Sequence, residues 1–155
     1  MTEPILSKII CYNQLVKELD ELYQFYAKKS GLSETAFWIM YCVNEKQEPY
    51  TQAELCEEWS YSRQTINSAL KNLENQGLLE LIPLPENRKN KQIFLTPSGE
   101  DLVRQTVVPL TAAEVRTFAQ LGVKDTDEYL RLTRRHIDLL RCEINKILTL
   151  SSEDA

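Results

Sequence analysis

The chain has 155 residues, 43% of them apolar, and a net charge of −5. That is enough apolar material for one ordinary core, which excludes wholesale disorder, and only four glycines among long helix-compatible segments exclude a sheet-rich fold. The acidic total disfavours nucleic-acid binding over the whole surface, so the distribution of charge matters more than its sum.

Residues 1–5 show no basic region followed by an apolar stretch, so no secretory signal is expected. The longest apolar run, Phe37 to Val43, is too short to span a bilayer. A cytoplasmic protein with no membrane partner is the expectation. Cys11, Cys42, Cys56 and Cys142 are widely spaced and form no C-x-x-C pair, which fits reduced thiols.

In chain order, Ile5, Ile9, Tyr12, Val16, Leu19, Tyr23 and Tyr26 recur at alternating spacings of four and three, a heptad-like seam on a long first helix. Leu6, Ile10, Leu15, Leu22 and Phe25 widen that stripe beyond the needs of one partner helix. Gly31 is placed to end the helix in a left-handed cap. Ser33 then caps a second helix from Glu34 to about Lys46, apolar nearly all round and expected to be buried.

Thr51-Gln52-Ala53-Glu54 has the pattern of a capping box, in which Thr and Glu reciprocally satisfy free amides at a helix start. The short helix it opens ends near Trp59. Ser60-Tyr61-Ser62 forms a turn, and Ser62 caps a helix from Arg63 to about Gln76. Ile66, Leu70 and Leu73 face inward on it; Arg63, Gln64, Asn67, Ser68 and Lys71 face outward; Gly77 ends it. Leu78–Leu84 and Gln92–Leu95 read as two strands of a hairpin, with Pro83 and Pro85 at the loop mouth and Asn87, Arg88, Lys89 and Lys91 at the tip. Thr96-Pro97 restarts helix, Pro109 is expected to kink or break it, and Gly122 stops it. Asp125-Thr126-Asp127-Glu128 resembles a second capping box. The last helix repeats a seam at Leu130, Thr133, Ile137, Leu140, Ile144 and Ile147.

The fold expected is mainly α with a small antiparallel β-hairpin: a winged helix-turn-helix between long terminal helices. Both ends carry apolar seams that require partners. The segment from Ser60 to Lys91 holds five bases and three acids, net +2, which leaves −7 on the rest of the chain. A locally basic module on an acidic body can bind phosphate while the body stays in solution.

The second helix of a helix-turn-helix enters the major groove, with residues near its N-terminus at base edges. Here those are Ser62, Arg63, Gln64, Thr65, Asn67 and Ser68, with Lys71 further along. Arg can bond a guanine edge bidentately, Gln an adenine edge, and Ser or Thr a base or phosphate. Arg88, Lys89 and Lys91 at the tip suit the DNA backbone or a narrow minor groove, whose negative potential attracts Arg. The plainer alternative is an amphipathic helix with a solvated polar face. The ordered set of capping box, short helix, Ser-capped polar helix, Gly, strand, basic turn, strand and Thr-Pro favours double-stranded DNA as partner.

These segments together resemble the MarR family of bacterial transcriptional regulators. The resemblance rests on Thr51 to Leu55, Ser62 to Asn67, Leu73 to Leu79, Asn87-Arg88-Lys89 and Leu95 to Gly99, and it extends over roughly Ile5 to Leu148. It implies an obligate homodimer with interleaved terminal helices, which would account for both seams. On that basis residues 1–32 and 108–150 are dimerisation helices, residues 33–107 the winged module, and residues 151–155 a frayed tail. Two recognition helices should then reach successive major grooves, about 34–36 Å apart, on a pseudo-palindromic operator. The family's wing carries an acid just before its Arg; here that position is Asn87, with Glu86 one step earlier.

The resemblance also implies a small-molecule or redox switch between dimer arms and DNA module. Tyr12, Tyr23, Trp38 and Tyr41 are the ligand-pocket candidates, with Tyr26 and Trp59 nearby, against the plainer reading of core aromatics. Cys11, beside Tyr12, is the redox candidate; Leu15 stands where the peroxide-sensing branch has a Tyr, and inert packing is the plainer role. His136 is the single histidine and has no ligand-spaced companions, so no metal is expected. One His, no Gly-rich phosphate loop and no paired carboxylates give no catalytic set, so neither an enzyme nor a cofactor is expected. The expected function is a homodimeric, sequence-specific transcriptional regulator, by family default a repressor. The alternative is a winged-helix adaptor that binds only protein.

Overall fold

The computed structural model describes residues 3–46, 48–59, 62–87 and 90–153. Six helices and two strands follow in the order α1 (Glu3–Lys29), α2 (Glu34–Glu45), α3 (Gln52–Trp59), α4 (Arg63–Asn75), β1 (Leu79–Pro83), β2 (Lys91–Leu95), α5 (Pro97–Leu121) and α6 (Val123–Glu153). The chain divides into two units, residues 1–109 and 110–155.

In the first unit the helix ends are set by the residues expected to set them. Gly31 takes a φ of 78°, open to glycine at no steric cost, and ends α1. The Ser33 hydroxyl accepts the Ala36 amide at 3.3 Å and starts α2. Gly77 takes a φ of 68° after α4, and two bonds close a Schellman motif there: Leu78 N–H to the Leu73 carbonyl at 3.0 Å, and Gly77 N–H to the Glu74 carbonyl at 2.9 Å.

The core gathers Phe37, Ile39 and Met40 of α2, Leu55 of α3, Ile66, Leu70 and Leu73 of α4, Leu79 and Ile93 of the hairpin, and Val103 and Val107 of α5. The strands pair antiparallel from Leu79–Leu95 to Pro83–Lys91. Pro83 stands in the last pair, where a missing donor is tolerated. A third segment joins this ribbon: Thr51 bridges Gln92, and Ile93 N–H donates to the Tyr50 carbonyl at 2.8 Å. An isolated hairpin is marginal, so this bridge roots the wing in the module.

The α1 seam divides into two parts. Tyr23 and Tyr26 pack on α2, with ring centroids 5.1 Å from Trp38 and 5.7 Å from Phe37. Ile5, Ile9, Tyr12, Val16 and Leu19 stay exposed, as do Leu6, Ile10, Leu15, Leu22 and Phe25.

Pro109 does not break α5, which runs through it to Leu121. A proline removes one donor and pushes on the carbonyls of the preceding turn. The Tyr26 hydroxyl donates to the Thr106 carbonyl at 2.8 Å and so supplies a donor to that turn from outside.

In the second unit Gly122, with a φ of 79°, ends α5. The expected capping box at Asp125–Glu128 does not form. α6 begins at Val123, directly after the left-handed glycine, and the Gly122 carbonyl accepts the Thr126 amide at 3.0 Å. Those four residues are therefore already inside the helix, and Glu128 pairs with Arg131 at 2.6 Å. Leu130, Ile137, Leu140, Ile144 and Ile147 of the seam are all exposed. α6 runs to Glu153.

Among the described residues no helix is long and apolar enough to cross a membrane.

Candidate nucleic-acid interface

α4 starts as its sequence implies. The Ser62 hydroxyl accepts the Thr65 amide at 3.1 Å and lies 2.7 Å from the Thr65 hydroxyl. Both hydroxyls are thus engaged in the cap, which assigns Ser62 and Thr65 the work of orienting the helix. Ile66, Leu70 and Leu73 bury one stripe; Arg63, Gln64, Asn67, Ser68 and Lys71 are exposed on the other. The buried stripe fixes the rotation of the helix, so the polar face is held outward by the core.

α3 supports α4 from behind. The Thr51–Glu54 capping box forms in both directions: the Thr51 amide donates to the Glu54 carboxylate at 2.7 Å, and the Glu54 amide donates to the Thr51 hydroxyl at 3.3 Å. The second Glu54 oxygen accepts from the Lys46 ammonium at 2.7 Å, which links α3 to the end of α2. Lys46 also lies 4.3 Å from the Tyr50 ring centroid, and the Tyr50 hydroxyl donates to Glu58 at 2.7 Å. Burial first, and then the bond to Glu58, push the Tyr50 hydroxyl up, so it stays protonated and remains a donor.

The Lys46 bond, followed by the Thr51 amide, holds the Glu54 carboxyl at about 2, below its ordinary 4.5. A depressed folded-state value stabilises the fold above pH 4.5, and that contribution is lost as pH falls from 4.5 through 2. Glu54 is 41% exposed, so solvent screening limits the contribution to about 1 kcal/mol or less. Glu54→Gln should therefore show a shallower acid-induced loss of stability over this window, read by denaturant titrations at stepped pH. Parallel losses in both proteins would remove the assignment.

The tip turn is closed at its base. Leu84 N–H donates to the Asn90 carbonyl at 3.0 Å, and Asn90 N–H donates to the Asn87 carbonyl at 2.9 Å. Arg88 and Lys89 lie outside the described residues, as do Ser60 and Tyr61 of the turn before Ser62. Lys91 is half-buried at the start of β2. A groove of about 410 Å³ opens between the elements, lined by Gln52, Ala53 and Cys56 of α3, Arg63 and Asn67 of α4, and Asn87 and Asn90 of the tip.

This groove brings together Arg63 and Asn67 from the expected set, and adds Gln52, Cys56 and Asn90, which sequence reading missed. Asn90 could have been suspected from one signal: a capping box leaves other first-turn amides without acceptors. Which distant residue supplies the acceptor is a tertiary matter.

The remaining expected residues lie elsewhere. Tyr23, Trp38 and Tyr41 do meet, with Trp38 and Tyr41 at 5.2 Å, packed ring against ring. Tyr12 is half exposed, about three turns earlier on α1. The Trp59 side chain is not among the described ones. Cys11 is exposed on α1, whereas Cys42 is buried in the core. His136 is exposed on α6, and among the described residues no three His, Cys, Asp or Glu side chains are grouped to hold a metal.

Comparison with known proteins gives the same outline. The MarR family profile matches residues 30–89, from the end of α1 to the wing tip. The HTH-type transcriptional regulator SarZ of Staphylococcus haemolyticus is 31% identical over 96 residues, 61% of this chain and 65% of that protein. The chain thus spans just under two thirds of the length of that relative. Among solved structures, AbsC of Streptomyces coelicolor, a MarR family transcriptional regulator, superimposes with a TM-score of 0.76 at 18% identity, covering 91% of this chain and 97% of that one. Sco3205 of the same organism, solved in complex with DNA, gives 0.75 at 16% identity over 89% of each chain. At these identities the structural likeness concerns the fold.

Proposed function

We propose that the chain is a member of the MarR family, whose profile matches residues 30–89, that it is a DNA-binding transcriptional regulator, that it acts as a homodimer on a pseudo-palindromic operator, and that it represses. The observation that carries the reading is α4. Its buried stripe, Ser62 cap and flanking groove hold Arg63, Gln64, Asn67, Ser68 and Lys71 outward beside a hairpin whose tip sequence is basic. Arg63, Gln64 and Asn67 are assigned to base edges, Ser68 and Lys71 to phosphate, and Arg88, Lys89 and Lys91 to the backbone or minor groove. Ser62 and Thr65 orient the helix and present its first amides to phosphate.

The dimer reading is supported by the apolar surface left over at both ends. Burying five Leu- or Ile-sized side chains is worth about 10 kcal/mol before the costs of association. α1 alone exposes Ile5, Leu6, Ile9, Ile10 and Leu15 among others, and α6 exposes Leu130, Ile137, Leu140, Ile144 and Ile147. Isolated helices of this kind depend on tertiary or quaternary burial for their stability. Residues 1–32 and 108–150 are accordingly assigned to the dimer interface.

Selection of bound duplexes from a random pool, followed by titration at several salt concentrations, tests the function. An enriched inverted repeat, bound with an affinity that falls steeply with salt, is expected. Sedimentation of the free protein should give a dimer at micromolar concentration. No enrichment, together with salt-insensitive duplex binding, would favour the protein-only adaptor.

A further inference from the structure

The N-terminus of α3 has more donors than its capping box can serve. The first amides of a helix lack intrahelical acceptors. Thr51 and Glu54 satisfy one another's amides. The amide of Ala53, between them, is served from 37 residues further along: it donates to Oδ1 of Asn90 at 3.4 Å. The helix is thus capped partly by the wing.

Asn90 is also the residue on which the tip turn closes. Its N–H reaches the Asn87 carbonyl and its own carbonyl accepts from Leu84. Main chain and side chain of one residue therefore perform two tasks, closing the turn and tying it to α3. The Thr51–Gln92 bridge and the bond from Ile93 to Tyr50 lie further down the ribbon. A two-stranded ribbon has little stability of its own, so the Asn90 side chain adds a tie to α3 near its far end.

We propose that Asn90 is a positioning residue for DNA: by capping α3 from the wing, it sets the distance across the groove between the start of β2 and the N-terminus of α4. The inference rests on the regulator reading above. A major-groove helix and a wing contact the same duplex at once only if their spacing is held, and a tip held before binding saves the cost of ordering it on binding. Asn90 faces Arg63 and Asn67 across that groove, so its bond acts on spacing without needing to touch DNA.

Asn90→Ala and Asn90→Asp separate this from a purely structural role. Asp keeps an acceptor for Ala53; Ala does not. Exchange of the Ala53 amide, followed by NMR, should rise about tenfold in Asn90→Ala and stay at the wild-type rate in Asn90→Asp. Binding of Asn90→Ala to the selected duplex should weaken about fivefold, with a salt slope smaller by about one; Asn90→Asp adds a negative charge beside Arg63 and serves the exchange measurement alone. Unchanged Ala53 exchange in Asn90→Ala, an unchanged salt slope in Asn90→Ala, or Ala53 exchange in Asn90→Asp as fast as in Asn90→Ala would each overturn the proposal. A wild-type protein without salt-dependent duplex binding would instead end the regulator reading, and the exchange measurement would still judge the cap.

Discussion

Gly99→Ala should destabilise the protein by about 3 kcal/mol, lowering the thermal midpoint by on the order of 10 °C. Helix propensity alone argues the reverse sign, since Gly in a helix costs about 1 kcal/mol relative to Ala. The reason lies across the turn. A Cβ at Gly99, in the first turn of α5, would stand 1.9 Å from the Leu78 carbonyl oxygen and 3.0 Å from its carbon. Both are backbone atoms and cannot rotate away. The same Leu78 carbonyl accepts the Thr96 amide at 3.2 Å, and the Thr96 hydroxyl both donates to the Gly77 carbonyl at 2.6 Å and accepts the Gly99 amide at 3.1 Å. The methyl group would therefore press apart the joint where α4 ends, the wing begins and α5 starts. Thermal and denaturant unfolding of Gly99→Ala beside Ser98→Ala, an exposed neighbour, give the measurement. A Gly99→Ala midpoint at or above that of the wild type would show that the close approach does not hold.

Arg63→Ala should reduce affinity for the selected duplex by about 1–3 kcal/mol and relax preference at one base pair per half-site. Arg63 is the first residue of α4, exposed, beside Asn67 on the groove wall, with the helix turned outward by three buried residues behind it. Arg88→Ala should act differently: affinity falls nearly evenly across sequences and the salt slope decreases by about one, as expected of a phosphate contact. The two patterns are separable in one experiment, a matrix of single-base operator variants titrated at two salt concentrations. A uniform loss for Arg63→Ala would move that residue from bases to phosphate. No loss for either variant would show that this face does not read DNA.

Much of the local architecture could be read directly. Gly31, Ser33, the Thr51–Glu54 box, Ser62, Gly77 and Thr96-Pro97 each act within a few residues of themselves, so their chemistry is visible in a short window. Strand limits came within about one residue for the same reason. Failures arose where a local pattern met a non-local condition. Of the kink or break expected at Pro109, the break does not occur: α5 runs through it, and a hydroxyl from Tyr26, far away in sequence, serves the turn before it. Asp125–Glu128 looked like a helix start, but the left-handed Gly122 had already started the helix.

The site shows the same division. The sequence determined that α4 would be a Ser-capped amphipathic helix and which of its side chains face outward, because helical periodicity and capping are set by neighbours three or four residues apart. It also determined that both ends of the chain carry apolar seams. Only the tertiary structure decided that Thr51 joins the wing as a third segment, that Gly99 admits no side chain, and that Asn90 caps α3. Each of these depends on groups far apart in sequence, from Leu78 and Gly99 to Thr51 and Gln92, brought together by the burial of Leu55, Leu73, Leu79 and Ile93. Hydrophobic burial is non-directional and sums over the whole chain, so the close polar contacts it brings about cannot be read from any one segment.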